Sequence, residues 1–364
     1  MTAIAGMQYP GSKEKVQAML NTMSHRGNAW QLIIEEKGTI LGVGGTRSQK
    51  SSAEVLLKEH IAEEMVSSSH YASAKATKKG IELARDPLGV SPLYYGRNKE
   101  GVFCFASEVK GLLAVTRDIH ELPPGHLLTE SNLRPIFKVR RETPRKDEPA
   151  KLASELRERI ESVIAGTIGD ENVGSWLSGG IDSTALAAIA RPHVKEFHTF
   201  AAGFPGSADI HFAEIAANHI GSTHHTMLVK PEDVLKVLPE VIYHLESFDA
   251  LLIRSSIMNY LVAKMAADYV PAVFSGEGGD ELFAGYEYLH AVPQTKLQDE
   301  LIDILGRLHN TALQRVDRSA AAHGLTAYVG FLDKRIVDLA LLIPVEFKIK
   351  DGIEKWILRK SVAD

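Results

Sequence analysis

Apolar positions in the second half of the chain alternate between helical and strand-like spacing. Between residues 152 and 168 they recur four residues apart, at Leu152, Leu156, Ile160 and Ile164, which predicts an amphipathic helix. Strands are predicted over 173–177, 196–204, 224–229 and 271–274, and helices over 185–190, 211–220, 231–245 and 257–267, with helices alone over 280–360. This alternation predicts an α/β domain in which a parallel sheet has helices on both faces and binds its ligand at the carboxyl ends of the strands.

The first 140 residues follow a different pattern, in which short apolar runs alternate with turn residues such as Lys37-Gly38. Strands are predicted over 30–34, 39–43, 81–84, 92–96 and 101–103, which indicates a sheet-rich domain. Residues 138–149 are charged, contain two prolines and carry few apolar side chains, as is typical of a linker. We therefore expect two domains, over 1–140 and 150–364.

The most informative turn is 178–184, Ser-Gly-Gly-Ile-Asp-Ser-Thr, which joins a predicted strand to a predicted helix. Its two glycines let backbone N–H groups approach an anion. The start of the helix adds unpaired donors and the positive end of a dipole. Asp182 is an acid beside a phosphate site, so it suggests a bound Mg²⁺; the alternative interpretation is an ordinary glycine turn capped by Asp182.

A second glycine-rich turn, 275–283, also follows a predicted strand and opens a helix. It carries three acids, Glu277, Asp280 and Glu281. Acids beside a phosphate loop are unfavourable unless a cation intervenes or one of them has a chemical role. ATP is a polyanion, so Mg²⁺ held by carboxylates and phosphate oxygens is the natural bridge, and the alternative is a solvated acidic loop. The chain contains no Gly-x-x-x-x-Gly-Lys-Ser/Thr loop.

Composition excludes several classes of protein. The net charge is -5 and the pI is about 6.3, so nothing points to a nucleic-acid partner. We expect no membrane span, because no apolar run approaches the roughly 18 residues required, and no secretory signal at the N-terminus. The single cysteine, Cys104, excludes an internal disulfide and fits a cytoplasmic protein. It lies in an apolar run, 102–106, that predicts a buried strand.

Both turns resemble asparagine synthetases of the glutamine-dependent type. Further matching segments occur in the same order along the chain, at 199–207, 241–249, 253–254, 323–325, 331–333 and 354–359. The resemblance implies a shortened α+β sandwich of the N-terminal-nucleophile (Ntn) hydrolase kind, followed by a parallel-sheet adenine nucleotide α-hydrolase-like (PP-loop) synthetase domain. Enzymes with a Ser-Gly-Gly-x-Asp-Ser loop split ATP between its α and β phosphates, adenylate a carboxylate and release pyrophosphate.

The resemblance also implies roles for individual residues. Asp182 and Asp280 would hold Mg²⁺, and Lys355 would stabilise negative charge on the leaving pyrophosphate. Glu277 would position the amino acid or accept a proton from ammonia. Arg254 would bind an amino-acid carboxylate, unless it forms a surface ion pair. The residues implied in ATP binding are Leu177, Ser178, Gly179, Gly180, Asp182, Ser183, Ala202, Ser275 and Gly276.

The N-terminal domain departs from the family. Glutamine-dependent members begin Met-Cys-Gly-Ile with a nucleophilic cysteine, whereas this chain begins Met-Thr-Ala-Ile, and Cys104 cannot replace that thiol from inside a strand. The family's Arg-Gly-Pro-Asp is reduced to Arg-Gly-Asn-Ala at 26–29, and the segment that carries Asn-Gly-Glu is missing between about Gly45 and Gly80. We expect no glutaminase activity, with Thr2 as the one residue type there that could act as an N-terminal nucleophile.

The expected reaction is adenylation of a carboxylate, with the aspartate side chain as the first choice, followed by attack of ammonia. The partners are then ATP, an amino acid and ammonia, the last either free or supplied by a separate protein, and a homodimer is compatible with the chain. One alternative is a non-catalytic ATP-binding paralogue that partners an intact synthetase. Another is a synthetase for a different substrate, including β-lactam-type ring closure, although relatives of that kind carry tyrosine in place of Glu277. Leu251 and Leu252, where the family often has threonine or serine, predict a less polar substrate pocket.

Overall fold

The structure is a computed structural model that describes residues 2–45, 70–129, 132–168 and 172–363. Its residues group into two compact units. The first comprises Met1–Lys138, Ile242–Phe248 and Ala321–Gly324, and the second comprises Val139–Val241, Asp249–Ala320 and Leu325–Asp364. The predicted domain limits, 1–140 and 150–364, do not include the two short later segments of the first unit. The limits themselves remain a prediction.

The first unit contains two antiparallel sheets. Its elements are β1 (Thr2–Gln8), α1 (Lys13–Thr22), β2 (Trp30–Glu36), β3 (Thr39–Gly45), β4 (Ala72–Thr77), β5 (Gly80–Arg85), β6 (Tyr94–Arg97), β7 (Phe103–Ala106), α2 (Val109–Leu113), β8 (His120–Glu121), β9 (His126–Thr129) and β10 (Asn132–Pro135). One sheet has the order β2-β3-β1-β7-β6-β8, and the other has the order β10-β9-β5-β4. The strands predicted over 30–34, 39–43, 81–84 and 92–96 are confirmed within three residues.

Alternating side chains on β1 show how these sheets pack. Ala3 and Met7 are buried in a cluster with Leu20 of α1. Ile4, which points to the opposite face, packs on a cluster that includes Leu83 of the second sheet. The six-stranded sheet therefore lies between helices on one side and the four-stranded sheet on the other, which confirms the predicted α+β sandwich. The segment expected to lack Asn-Gly-Glu lies mostly at 46–69, outside the described residues.

Cys104 occupies β7 and is completely buried. Its Sγ lies 3.5 Å from the carbonyl oxygen of Gly96, to which the thiol donates. Burial raises the pKa of this thiol to about 12, so the thiolate is not formed near neutral pH. The prediction of a small buried hydrophobe is confirmed, and Cys104 cannot serve as a nucleophile in this position.

Charged side chains form a buried cluster in the first unit. The carboxylate of Glu108, with no exposed surface, accepts from Arg26 Nη1 at 2.8 Å and from Lys110 Nζ at 2.7 Å. His25 Nε2 lies 3.0 Å from the same carboxylate, and Lys110 Nζ also lies 3.1 Å from Glu246. Arg26, which begins the degenerate Arg-Gly-Asn-Ala run, is therefore engaged in a structural ion pair.

The second unit is built around a five-stranded sheet. From residue 149 onward the elements are α3 (Pro149–Ile168), β11 (Val173–Trp176), α4 (Ile181–Ala190), β12 (His198–Gly203), α5 (Ala208–Ile220), β13 (Thr223–Leu228), α6 (Pro231–Leu245), α7 (Ala250–Ala266), β14 (Ala272–Phe274), α8 (Gly279–Phe283), α9 (Gln294–Arg307), α10 (Ala312–Ala321), β15 (Thr326–Tyr328), α11 (Lys334–Leu342) and α12 (Trp356–Ser361). All strand pairs are parallel, in the order β13-β12-β11-β14-β15. The predicted parallel sheet is confirmed.

Helices cover the sheet of the second unit. Helix α4 packs against β11 and β14, while α7 packs against β12 and β13. The prediction of helices alone over 280–360 is wrong, because β15 extends the sheet beside β14. A strand of three residues is too short to produce a recognisable period, and it forms because β14 offers its unpaired edge.

Lys348 is almost completely buried in the second unit, with 1% of its surface exposed. Its neighbours in the chain, Val345 and Ile349, pack on an apolar cluster that contains Leu297 and Leu301. Burial lowers the pKa of the Lys348 ammonium to about 7. At neutral pH this residue therefore sits near its titration midpoint inside an apolar environment.

We expect the free energy of unfolding to rise between pH 7 and pH 9 because of Lys348. In this range the unfolded chain keeps the lysine proton and the folded chain releases it, so stability increases with pH, by at most about 1.4 kcal/mol per unit. Below pH 7 both the folded and the unfolded chain keep the proton, so the free energy of unfolding is lowered by the full cost of burying the charge. Urea unfolding at several pH values measures the slope. Lys348→Met should flatten it and stabilise the protein at pH 7, whereas Lys296→Met, at an exposed position of α9, should leave the slope unchanged.

Candidate active site

The first glycine-rich turn connects β11 to α4, and two of its serine hydroxyls are hydrogen-bonded to each other. Gly179 has φ +77, and a Cβ at this position would lie 2.4 Å from the carbonyl carbon of Phe212, so only glycine fits. Ser178 Oγ lies 3.1 Å from Ser183 Oγ, which in turn donates to the carbonyl of Gly180. Gly180 is the N-cap of α4. The first three N–H groups of the helix precede its first internal bond and remain available to an anion.

The second glycine-rich turn, between β14 and α8, touches the first. A Cβ on Gly276 would lie 2.8 Å from the backbone nitrogen of Ser183. A Cβ on Gly279 would lie 2.3 Å from the carboxyl carbon of Asp182. Both glycines are therefore required by close approach of the two turns. Segments nearly one hundred residues apart in sequence meet at the carboxyl ends of neighbouring strands, where ligands bind in open parallel sheets.

Lys355 joins the acids of the two turns. Its Nζ lies 2.5 Å from Asp182 Oδ2 and 2.7 Å from Asp280 Oδ1. The lysine is the N-cap of α12 and has φ +53, a left-handed conformation that is strained for a residue with a side chain. Asp182 does not cap α4, because one of its oxygens binds Lys355 and the other, Oδ1, is buried without a hydrogen-bond partner.

Negative charge exceeds positive charge at this point. Burial raises the pKa of the Asp182 carboxyl to about 6; Lys355 opposes this shift, while Asp280 and Glu277 add to it. Burial also raises the pKa of Glu281 to about 7. For Lys355, burial opposes the charge, but the two aspartates outweigh it and raise its pKa. A further cation would relieve the repulsion among the acids if phosphates entered with it and offset its repulsion with Lys355.

A cavity of about 510 Å³ opens beside the two turns, within the usual range for a small-molecule site. The predicted residues that line it are Leu177, Ser178, Asp182, Ser183, Ala202, Ser275, Gly276, Glu277 and Asp280. Two of their backbone donors are already committed, since Leu177 N donates to the carbonyl of Phe200 and Ser275 N to that of Tyr328. Contacts of these two residues with a nucleotide would therefore use other atoms.

Comparison with known proteins identifies the family of this chain. Residues 155–303 and 292–364 match the Asparagine synthase family. The chain belongs to this family. Residues 43–133 match a second family, the Glutamine amidotransferase domain.

Two curated relatives in the asparagine synthase family illustrate the similarity. A glutamine-hydrolysing asparagine synthetase B of Escherichia coli is 34% identical over 312 residues, covering 80% of this chain and 56% of the relative. A glutamine-hydrolysing asparagine synthetase of Bos taurus is 34% identical over 325 residues, covering 79% and 58%. The chain thus spans little more than half the length of these relatives. An NH3-dependent NAD synthetase of Campylobacter jejuni, solved with nitrate, gives 16% identity and a TM-score of 0.28 over 43% of this chain and 74% of that chain, which is too low to support an argument.

Arg315 is a site residue that the sequence analysis missed. It comes from α10, lines the cavity, and places Nη2 2.5 Å from Glu277 Oε1. Its Nε is buried without a hydrogen-bond partner. Nothing in the local sequence separates this arginine from the other polar residues of an amphipathic helix. Its pairing with Glu277, 38 residues away, becomes visible only in three dimensions.

Arg254 lies apart from the cavity lining. It is exposed on α7, whereas Met258, Asn259 and Val262, further along the same helix, line the cavity. Helix α7 begins seven residues earlier than predicted, because Asp249 caps it by accepting from Leu252 N at 2.7 Å. The role of Arg254 in carboxylate binding remains a prediction.

The residues present fit a magnesium ion that is completed by phosphate. Asp182 and Asp280 supply carboxylate oxygens, the donors that Mg²⁺ prefers, and Asp182 Oδ1 lacks a partner. Within the described residues no three His, Cys, Asp or Glu side chains converge as a complete metal site would. Two carboxylates plus substrate phosphates is the usual arrangement for Mg²⁺ in nucleotide enzymes. None of the helices that the structure describes combines the length and apolar character needed to cross a membrane.

Proposed function

We propose that this protein uses Mg²⁺ and ATP to adenylate a carboxylate, with the aspartate side chain as the first candidate, and passes the acyl group to ammonia to form an amide. The observation that carries the proposal is the meeting of the two glycine-rich turns, where Lys355 bridges Asp182 and Asp280 beside the cavity. The printed names of the curated relatives, asparagine synthetases, support the choice of product.

The first chemical step places the polyphosphate of ATP against the turn at 178–184. N–H groups at the start of α4 and the hydroxyls of Ser178 and Ser183 bind phosphate oxygens. An oxygen of the substrate carboxylate attacks the α-phosphorus, and the bond from that phosphorus to pyrophosphate breaks. Lys355 stabilises the charge that develops on the leaving group. Mg²⁺, held by Asp182 and Asp280 when bound, supplies further charge neutralisation.

Glu277 and Arg315 are the residues that we propose to act on the acceptor. Their ion pair lines the cavity next to the second turn, so the guanidinium can orient a substrate carboxylate and the glutamate can accept a proton from the attacking amine. Nitrogen attacks the acyl carbon, the bond to AMP breaks, and the proton leaves the nitrogen. Cys104 is buried in β7 with its thiol protonated, so it cannot attack a glutamine amide, and we propose ammonia, free or from a separate protein, as the donor.

A pyrophosphate-release assay tests this function. We expect release from ATP and Mg²⁺ to depend on an added carboxylate, with aspartate the first to be screened among amino acids, and amide formation to require ammonium and to fail with glutamine alone. ATP protection in thermal unfolding, with no pyrophosphate released by any carboxylate, would favour the non-catalytic paralogue. Amide formation with glutamine alone that is lost in Thr2→Ala would contradict the inactive first unit.

A further inference from the structure

We infer that Lys355 competes with the divalent cation for the carboxylates of Asp182 and Asp280, so that the site takes up the cation only together with the phosphates of a nucleotide. This rests on the proposed function for the identity of the ligand. It adds two points to that function. The ammonium of Lys355 occupies the metal site when no nucleotide is bound, and the metal binds only together with the nucleotide.

The ammonium group lies where both acids converge. One oxygen of each carboxylate accepts a hydrogen bond from Lys355 Nζ, at 2.5 Å and 2.7 Å. The side chain of Lys355 is 9% exposed, that of Asp182 is 13% exposed and that of Asp280 is 36% exposed. A divalent ion bound to the same two carboxylates would stand within a few ångströms of this ammonium, with two of the three charged side chains largely buried. Two like charges at that distance repel strongly, so one of the cations has to move.

The surroundings direct the lysine toward the acids. Its backbone is held in the left-handed region at the start of α12. A Cβ on Gly285 would lie 2.0 Å from both Lys355 Cε and Asp280 Oδ1, so the lysine stem and the aspartate pack closely against this glycine. The ammonium thus lies between two acids, Asp182 and Asp280, that both line the cavity.

Nucleotide phosphates offer the ammonium a second set of partners. A lysine is a point charge on a flexible stem, and it can exchange carboxylate oxygens for phosphate oxygens without losing its ion pairs. Once it has moved, Asp182 has two oxygens to offer, including Oδ1, which has no hydrogen-bond partner. The cation and the polyphosphate then enter together, and neither acid is left without a positive partner at any stage.

Electron paramagnetic resonance of Mn²⁺, titrated at a fixed pH without nucleotide, measures the competition directly. Wild type should bind Mn²⁺ weakly, and Lys355→Met should bind it about tenfold more tightly or better, because the competing charge is gone. Lys355→Arg keeps a cation at the end of the side chain and should resemble wild type. Adding Asp182→Asn to Lys355→Met should abolish the gain. With α,β-methylene-ATP present, wild type should bind Mn²⁺ nearly as well as Lys355→Met.

Two results would overturn the inference. It is wrong if Lys355→Met and Lys355→Gln, shown to be folded by their thermal unfolding, bind Mn²⁺ no better than wild type without nucleotide. It is also wrong if wild type binds Mn²⁺ equally well with and without the nucleotide analogue. These titrations involve no reaction. Absence of pyrophosphate release with every carboxylate would therefore refute the proposed function while leaving the Mn²⁺ result to decide the competition.

Discussion

Replacing Asp182 by asparagine is expected to lower the rate of pyrophosphate release about a thousandfold. Asp182 is proposed to hold Mg²⁺ on the pyrophosphate once Lys355 has exchanged this carboxylate for phosphate oxygens, so its charge fixes the metal that stabilises the leaving group. Loss of one fixed electrostatic group from such a site costs about a hundred- to a thousandfold. The change removes the carboxylate charge that fixes the metal, and the Asp182 side chain is only 13% exposed, so the upper end of that range applies. Release is measured as inorganic phosphate after pyrophosphatase treatment.

Asp338→Asn is the matched control for that experiment. Asp338 lies on α11 and pairs with Lys334 across one helical turn, outside the cavity lining. Its substitution should leave pyrophosphate release unchanged. Asparagine at position 182 should not unfold the protein, because burial already opposes the charge of this carboxylate. A rate within tenfold of wild type for Asp182→Asn would remove this residue from the proposed mechanism.

Replacing Glu108 by glutamine is expected to lower the free energy of unfolding by about 3 to 5 kcal/mol. The shape is kept, but the buried cations Arg26 and Lys110 lose the carboxylate that they share. Breaking a buried ion pair from one side leaves an uncompensated charge in a poorly polarisable environment. Calorimetry should show the midpoint of the affected transition falling by about 6 °C or more, given the size of the unit.

A double-mutant cycle separates this effect from simple loss of packing. The double variant Glu108→Gln with Lys110→Met should lose less free energy of unfolding than the sum of the two single variants. Glu108→Gln leaves the Lys110 ammonium without this carboxylate, and Lys110→Met removes that ammonium. Glu36→Gln is the control, since Glu36 pairs with Lys37 at an exposed hairpin end, where ion pairs contribute little. Strict additivity of the two buried changes would mean that the pair is not coupled.

Local sequence signals predicted those parts of the site that are continuous in the chain. The turn at 178–184 is recognisable because glycines, hydroxyl residues and an acid stand between a strand pattern and a helix pattern. The structure has the strand at 173–176 and the helix at 181–190. Backbone conformation there is decided by nearby residues, above all Gly179. The same holds for the strands of the first unit, which follow the short apolar runs between turn residues, whereas the sandwich itself was implied by the family resemblance.

Contacts between distant segments could not be predicted in the same way. Lys355 and Asp182 are 173 residues apart, and only the resemblance to the family indicated a role for this lysine. Arg315 was missed because its partner, Glu277, lies on another element. The three-residue strand β15 depends on the free edge of β14. The early start of α7, in contrast, could have been predicted from the sequence, because Asp249 before an apolar run is a recognisable helix N-cap.

The inert cysteine of β7 has a practical consequence for studying this protein. Cys104 is the single thiol of the chain, it is completely buried, and its high pKa keeps it protonated. A cysteine introduced at an exposed position, such as Arg254→Cys on α7, would therefore react alone with a maleimide dye or spin label, with no background substitution required. The native sequence is therefore suited to site-specific spectroscopy on α7, the helix whose later residues Met258, Asn259 and Val262 line the cavity.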